Sequence, residues 1–241
     1  MRKILITNDD GVFAHGLIRL VQVALKFGEV WVVAPDSQRS AVSHSISLRG
    51  SFDLWQVDFP VEGVHAFACT GTPADCVRIG VLNIVPGKPD VVFSGINHGY
   101  NVATDLQYSA TVGAAFEAAF QGIHAIAFSE NFNEDADSEN EVTDKYLEQI
   151  ISELLDEPLD KNEIHNVNFP ACSLAECRGI KTECKVSDGV FYKDRYDMTS
   201  KEDGRYTCTV VGERRWEAEE GTDLRAVLDN YIAVGKARNI S

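Results

Sequence analysis

The stretch "KILITNDDGVFAHGLIRLVQVALKFGEVWVVA", residues 3–34, decides the fold. "KILIT" (3–7) is an apolar run that ends in polar Asn8, Asp9, Asp10 and Gly11. Leu17, Leu20, Val21, Ala24 and Leu25 then recur at helical spacing until Gly28 closes the helix. "EVWVVA" (29–34) is apolar again and reads as a second strand. The same rhythm continues along the chain. "ADCVRIGVLNI" (74–84) reads as a helix after Pro73, "PDVVFSGIN" (89–97) as a strand with a loop, "TVGAAFEAAFQG" (111–122) as a helix and "IHAIAFSE" (123–130) as a strand. "TDKYLEQIISELLDE" (143–157) reads as a helix and "HNVNFP" (165–170) as a strand. Strands alternating with helices predict an α/β protein with a mostly parallel sheet and helices on both faces. Continuous apolar strands such as "DVVF" fit burial on both sides.

Two stretches break the rhythm. Residues 44–70 contain "SISLRGSFDLWQVDF", and residues 179–216 carry the turn signals Asp188-Gly189 and Asp203-Gly204. Both are expected as antiparallel hairpin arms leaving one α/β domain that spans residues 1–241. The acidic stretch 131–142 is expected as a solvated loop.

Composition narrows the function. The 241 residues carry a formal net charge of −15, which argues against polymeric nucleic acid as a partner, because phosphate backbones need a cationic footprint. A small phosphate substrate is not excluded, since one bound cation reverses the local field. The six cysteines show no C-x-x-C spacing and no histidine at a zinc-like offset, so all are expected as reduced thiols. "MRKILIT" is too short for a secretory core, and no apolar run approaches the roughly 20 residues that span a bilayer. A cytoplasmic protein with no membrane partner is expected.

The chemistry is expected at the carboxyl ends of the strands, where open α/β sheets bind ligands. Asp9 and Asp10 lie where the first strand ends. Side chains diverge along a continuing strand, but a turn at Gly11 can bring both carboxylates round one point. Such a pair is costly alone and favourable around a hard cation such as Mg²⁺ or Mn²⁺. The alternative is that one of them caps the turn. A second polar cluster, "VVAPDSQRSAVSHSIS" (32–47), offers Ser40 and His44 among other groups. A third, "SGINHGYNVATDLQYSATVGAAFEA" (94–118), offers Asn97, Asn101, Ser109 and Thr111. "YSAT" opens a helix, so Ser109 either caps it or helps its free N–H groups hold an anion. Three polar clusters after strands of one sheet converge on one crevice. A cation beside a helix N-terminus there suits phosphoryl chemistry.

Several blocks in this order resemble the SurE family of survival-protein nucleotidases: "ILITNDDGV", "VVAPDSQRSAVSHSIS", "TGTPADCVRIGV", "VVFSGINHGYN", "YSATVGAAFEA", "NVNFP" and "GTDLRAVLDNYIAV". The resemblance implies a Rossmann-like core with protruding hairpin arms, a homodimer or homotetramer, and one divalent metal ion, Mg²⁺ or Mn²⁺. It implies a phosphatase acting on nucleoside 5′- and 3′-monophosphates, with exopolyphosphatase or broad phosphomonoesterase activity as the alternative. Carried onto this sequence, the metal ligands are Asp9, Asp10, Ser40 and Asn97. The catalytic set is Asp9, Asp10 and Asn97, and Asn101, Ser109 and Thr111 surround the phosphate. The attacking group is water or the Asp9 carboxylate. Ala41, Ala103 and Ala110 stand where the family has glycine, and each adds a methyl group that resists a positive φ. The C-terminal "YIAVGKARNIS" also departs from the family's ending, in a region that often bridges subunits.

Three other readings fit less well. A phosphoryl-receiver domain needs an aspartate where the middle strand here ends on Asn97. A nucleotide-sugar transferase usually separates its two acids by one residue. A dinucleotide dehydrogenase needs a G-x-G-x-x-G after the first strand, which is absent.

Overall fold

The computed structural model describes residues 1–131 and 140–239. Its centre is a nine-stranded sheet flanked by five α-helices. The strands are β1 (Lys3–Thr7), β2 (Glu29–Pro35), β3 (Leu54–Gln56), β4 (Val64–Cys69), β5 (Val91–His98), β6 (His124–Glu130), β7 (Glu163–Phe169), β8 (Ile180–Cys184) and β11 (Ile232–Arg238). Their spatial order is β3-β4-β2-β1-β5-β6-β7-β11-β8. Pairings from β4 through β7 are parallel, as the strand–helix alternation predicts. β3 runs antiparallel to β4 and β11 antiparallel to β7, so the sheet is mixed towards both edges.

The helices are α1 (His15–Ala24), α2 (Pro73–Ile79), α3 (Ala110–Phe120), α4 (Glu141–Leu154) and α5 (Asp223–Leu228). α1 and α4 bury Leu17, Leu20, Leu147 and Ile151 against one sheet face, with Ile4, Phe93 and Phe128. α2 and α3 bury Cys76, Val77, Val112 and Ala115 against the other, with Leu5, Val92 and Ala125. The strands therefore read as unbroken apolar runs because each face needs its own set. Buried Arg19 of α1 ties the first layer to the sheet. It donates to Glu130 of β6 at 2.7 Å and to Asp144 of α4 at 2.6 Å.

The two irregular stretches differ from each other. Residues 192–214 form a separate hairpin, β9 (Tyr192–Ser200) with β10 (Tyr206–Arg214), turning near Gly204. Residues 44–70 do not project as an arm: β3 and β4 close one edge of the main sheet, because β4 pairs in parallel with β2 over its whole length. β8 likewise joins the sheet. Of the acidic stretch 131–142, residues 132–139 lie outside the described residues. Asn140 caps α4 through Val142 and Thr143, so that helix begins two residues before its apolar pattern does. The helix expected over 74–84 is α2 followed by one wider π turn, Gly80–Ile84. All six cysteines are free thiols. Among the described residues no helix is long and apolar enough to cross a membrane.

Candidate active site

The twin acids sit just past the end of β1, in a turn made by their neighbour. Asn8 accepts from Gly11 N at 3.2 Å and donates to Gly11 O at 2.9 Å, while Gly11 takes φ +116. That φ is open to glycine at little cost. Asn8 does the turn's hydrogen bonding, so neither aspartate is spent on a cap. Both carboxylates are held from other elements instead. Thr111, in the first turn of α3, donates its hydroxyl to Asp9 Oδ1. The backbone N–H of His98, at the end of β5, donates to Asp10 Oδ2 at 3.2 Å.

The other expected residues lie on the segments that touch this pair or on their continuations. Arg39 N donates to Asp9 O at 2.7 Å, which brings the loop after β2 and its exposed Ser40 against the first strand. Asn97 precedes His98, and its Nδ2 is committed to Gly99 O at 2.8 Å, leaving its Oδ1 as an acceptor. Ser109 caps α3, accepting from Val112 N at 3.1 Å, and keeps its O–H to donate. Asn101 is placed differently. It is buried, with Nδ2 donating to Ser129 Oγ at 2.7 Å and its backbone held by Asn166 and Asn168 of β7. Its side-chain N–H groups face the interior network.

A family model described as Survival protein SurE matches residues 4–190. This chain belongs to the SurE family. The protein named 5'-nucleotidase SurE of Clostridium botulinum (strain Kyoto / Type A2) is 36% identical over 232 residues, covering 96% of this chain and 91% of the relative. The one of Mesorhizobium japonicum is 37% identical over 241 residues, covering 96% and 91%. The crystal structure of the SurE protein from Aquifex aeolicus superposes with a TM-score of 0.82 at 34% identity, covering 98% of this chain and 93% of that one.

Electrostatics set this SurE site apart from its surroundings. Burial, then the neighbouring charge of Asp10, pushes the Asp9 carboxyl up to about 7, against the lowering effect of Thr111. Burial also raises Asp10, partly relieved by the His98 N–H. The His98 side chain also lowers Asp10, but no lysine or arginine among the described residues pairs with either acid, and two desolvated carboxylates of this kind favour an added positive charge. Among those residues there is also no group of three or more His, Cys, Asp or Glu placed to hold a metal. A cation here would need neutral oxygens to complete its shell, of the kind that Ser40 and Asn97 carry; such a shell suits a hard ion rather than zinc.

Sequence patterns missed several residues that hold the site. Asn8 makes the turn. Asp223 at the start of α5, raised to about 6 by burial, accepts from Ala103 N and Ser187 N and so ties the 97–109 segment to the far sheet edge. Glu117 binds His44. Only the block "GTDLRAV" gave any signal for Asp223, and only through the family resemblance.

The glycine departures have a specific outcome. Ala41 and Ala103 adopt φ 57 and φ 53 despite their methyl groups, while Ala110 is simply the first residue of α3.

Proposed function

We propose that this SurE chain is a divalent-metal-dependent phosphatase that hydrolyses nucleoside 5′-monophosphates, and 3′-monophosphates, to nucleoside and inorganic phosphate. The observation that carries this reading is the desolvated pair Asp9 and Asp10 at the end of β1, each held by a donor from a different element, with no lysine or arginine ion pair among the described residues. The curated relatives' name, 5'-nucleotidase SurE, supports the substrate class. In this reading Asp9, Asp10, Ser40 and Asn97 Oδ1 hold one Mg²⁺ or Mn²⁺. When bound, the ion offsets the charge that gathers on the phosphoryl oxygens in the transition state.

The chain's own groups do the rest. Thr111 fixes the Asp9 carboxylate, and His98 N fixes that of Asp10. Ser109 O–H and the free N–H groups at the start of α3 receive the remaining phosphate oxygens, where negative charge is favoured. Asn101 acts from behind, holding the 97–109 segment against β7. Water or the Asp9 carboxylate attacks phosphorus, and trapping a phosphorylated Asp9 by rapid quench distinguishes the two. The assembly proposed is a homodimer, which light scattering on the eluted protein checks.

The central test is release of inorganic phosphate from nucleoside monophosphates, simple phosphomonoesters and short polyphosphate. It is run after chelation and after adding back Mg²⁺ or Mn²⁺. Chelation should abolish turnover and metal restore it, with nucleoside monophosphates preferred. Asp9→Asn should lower turnover by at least about a thousandfold, through loss of ligand charge and of electrostatic stabilisation. Turnover indifferent to chelator, or a fully active Asp9→Asn, defeats the assignment.

A further inference from the structure

The loop between β2 and β3 carries Ser40 and is held in place against its own preferences. Ala41 and Ser43 both take left-handed φ, 57 and 54, in side-chain-bearing residues. Each such residue costs roughly 1–2 kcal/mol, so contacts from outside must fix the loop. Tyr108 O accepts from Ser43 N at 3.0 Å. The backbone at Ser43 and His44 lies directly on α3 at Gly113, where any Cβ would come within 2.8 Å of Ser43 O. Between Ser40 and this contact the loop is pinned to the helix chiefly by backbone.

Ser45 and Ser47 tie the far part of the loop to Thr72 and Asp75 at the start of α2, and one side chain attaches it to α3. His44 Nε2 meets Glu117 Oε2 at 2.9 Å, and the His44 ring packs near Phe120. Glu117 is 3% exposed, on a helix whose other buried residues, Thr111 apart, are alanine, glycine, valine and phenylalanine. Its second oxygen accepts from Arg78 Nη1 at 3.0 Å and Gln121 Nε2 at 2.9 Å. A buried carboxylate is expensive even when fully hydrogen-bonded, and an apolar residue would fill this place at lower cost. What an apolar residue cannot do is hold His44. Thr111 and Glu117 are six residues apart on α3, or about 9 Å of helix rise. One rigid element therefore grips Asp9 with Thr111 and the Ser40 loop with Glu117.

We propose that Glu117 is a positioning residue: through His44 it sets the Ser40 loop at a fixed distance from Asp9 and Asp10. The inference rests on the phosphatase reading only in giving Ser40 a place in the site. Glu117→Leu and, from the loop side, His44→Phe remove the same contact, and Glu117→Gln keeps a hydrogen-bonding partner for the imidazole. Mn²⁺ binding by calorimetry, kcat and KM for a nucleoside monophosphate, and thermal melting without metal are measured on each.

Mn²⁺ affinity is expected to fall about tenfold in Glu117→Leu and His44→Phe, in line with groups that orient metal ligands. kcat should fall tenfold to a hundredfold at saturating metal, as for a reacting group displaced by about an ångström. KM should change little, and Glu117→Gln should retain much of both. Melting should stay within a few degrees, separating misplacement from unfolding. If Glu117→Leu does not fold, His44→Phe carries the test. Folded variants with Mn²⁺ affinity and kcat within twofold of the parent overturn the proposal. A parent that binds Mn²⁺ but releases no phosphate overturns the phosphatase reading, while the affinity measurements still decide the role of Glu117.

Discussion

Asp9 shows at the scale of one residue how a site is kept at the expense of stability. Its carboxyl stands at about 7 in the fold, against an ordinary 3.8. A raised acid binds a proton more tightly when folded, so the contribution of Asp9 to stability is fully present below about pH 4 and is lost as pH rises through about 7. In metal-free protein at pH 8 this one group withdraws roughly 2–4 kcal/mol. Asp9→Asn keeps an oxygen for Thr111 and removes the charge. Without metal, at pH 8, it should melt several degrees higher than the parent, with the gap closing by pH 5, while phosphate release is lost. Added Mn²⁺ should raise the parent's melting temperature and not the variant's. A variant that melts lower at pH 8 refutes the assignment of strain to that carboxylate.

His165 works in the opposite sense. It is 1% exposed, and burial holds its imidazole down to about 4, with the His124 ring 5.4 Å away. It stays neutral in the fold, so stability is intact above about 6.5 and is lost as pH falls towards 4. Between pH 7 and 5 the parent should lose about 2 kcal/mol more than His165→Gln does, read from denaturant titrations at each pH. Parallel losses in both would show that His165 takes up no proton on unfolding. At this scale the twin acids were legible because adjacent carboxylates at a strand end are unusual in themselves. Asn8 and Glu117 were not. Asn8 looks like any turn residue, and a glutamate in an alanine-rich helix looks like a solvated charge until α2 and the 36–47 loop are packed over it.

Among the elements, β1, α1, β2, β5, α3, β6 and β7 follow the periodicity closely, since each is buried on a face its own sequence declares. The sheet edges were less legible. β4 reads like an arm strand, and only pairing with β2 makes it part of the sheet. β11 finds an antiparallel partner in β7, with paired residues 65 to 75 positions apart in the chain, and no local period encodes a partner at that distance. The loops departed most clearly from expectation at Ala41 and Ala103, where methyl groups tolerate left-handed backbone. Magnitudes separate the two positions. Ala41 is exposed, so Ala41→Gly relieves about 1 kcal/mol of strain and loses no packing. It should raise the melting temperature by a few degrees. Ala103 is 1% exposed, and Ala103→Gly forfeits about 0.8 kcal/mol of buried methyl, so its net effect should be near zero. Equal shifts for the two variants would mean that backbone conformation is not what differs between them.

For the molecule as a whole, charge is the governing quantity. The β9–β10 hairpin is balanced, with five lysines and arginines against five acids over residues 192–214, so the formal −15 resides on the rest of the chain. A nucleoside monophosphate is a dianion near neutral pH and approaches a body of its own sign. Only the cation proposed between Asp9 and Asp10 reverses that field, and it does so locally. At about 10 mM salt the screening length is about 30 Å, so the whole acidic surface acts on the incoming substrate; at 150 mM it is about 8 Å and the site acts nearly alone. With the metal held saturating, inert salt raised over that range should therefore increase kcat/KM several-fold and leave kcat nearly unchanged, because only the encounter is affected. A fall in kcat/KM with salt would show that the substrate approaches through a positive field, and the acidic body would then have no part in setting the rate of capture.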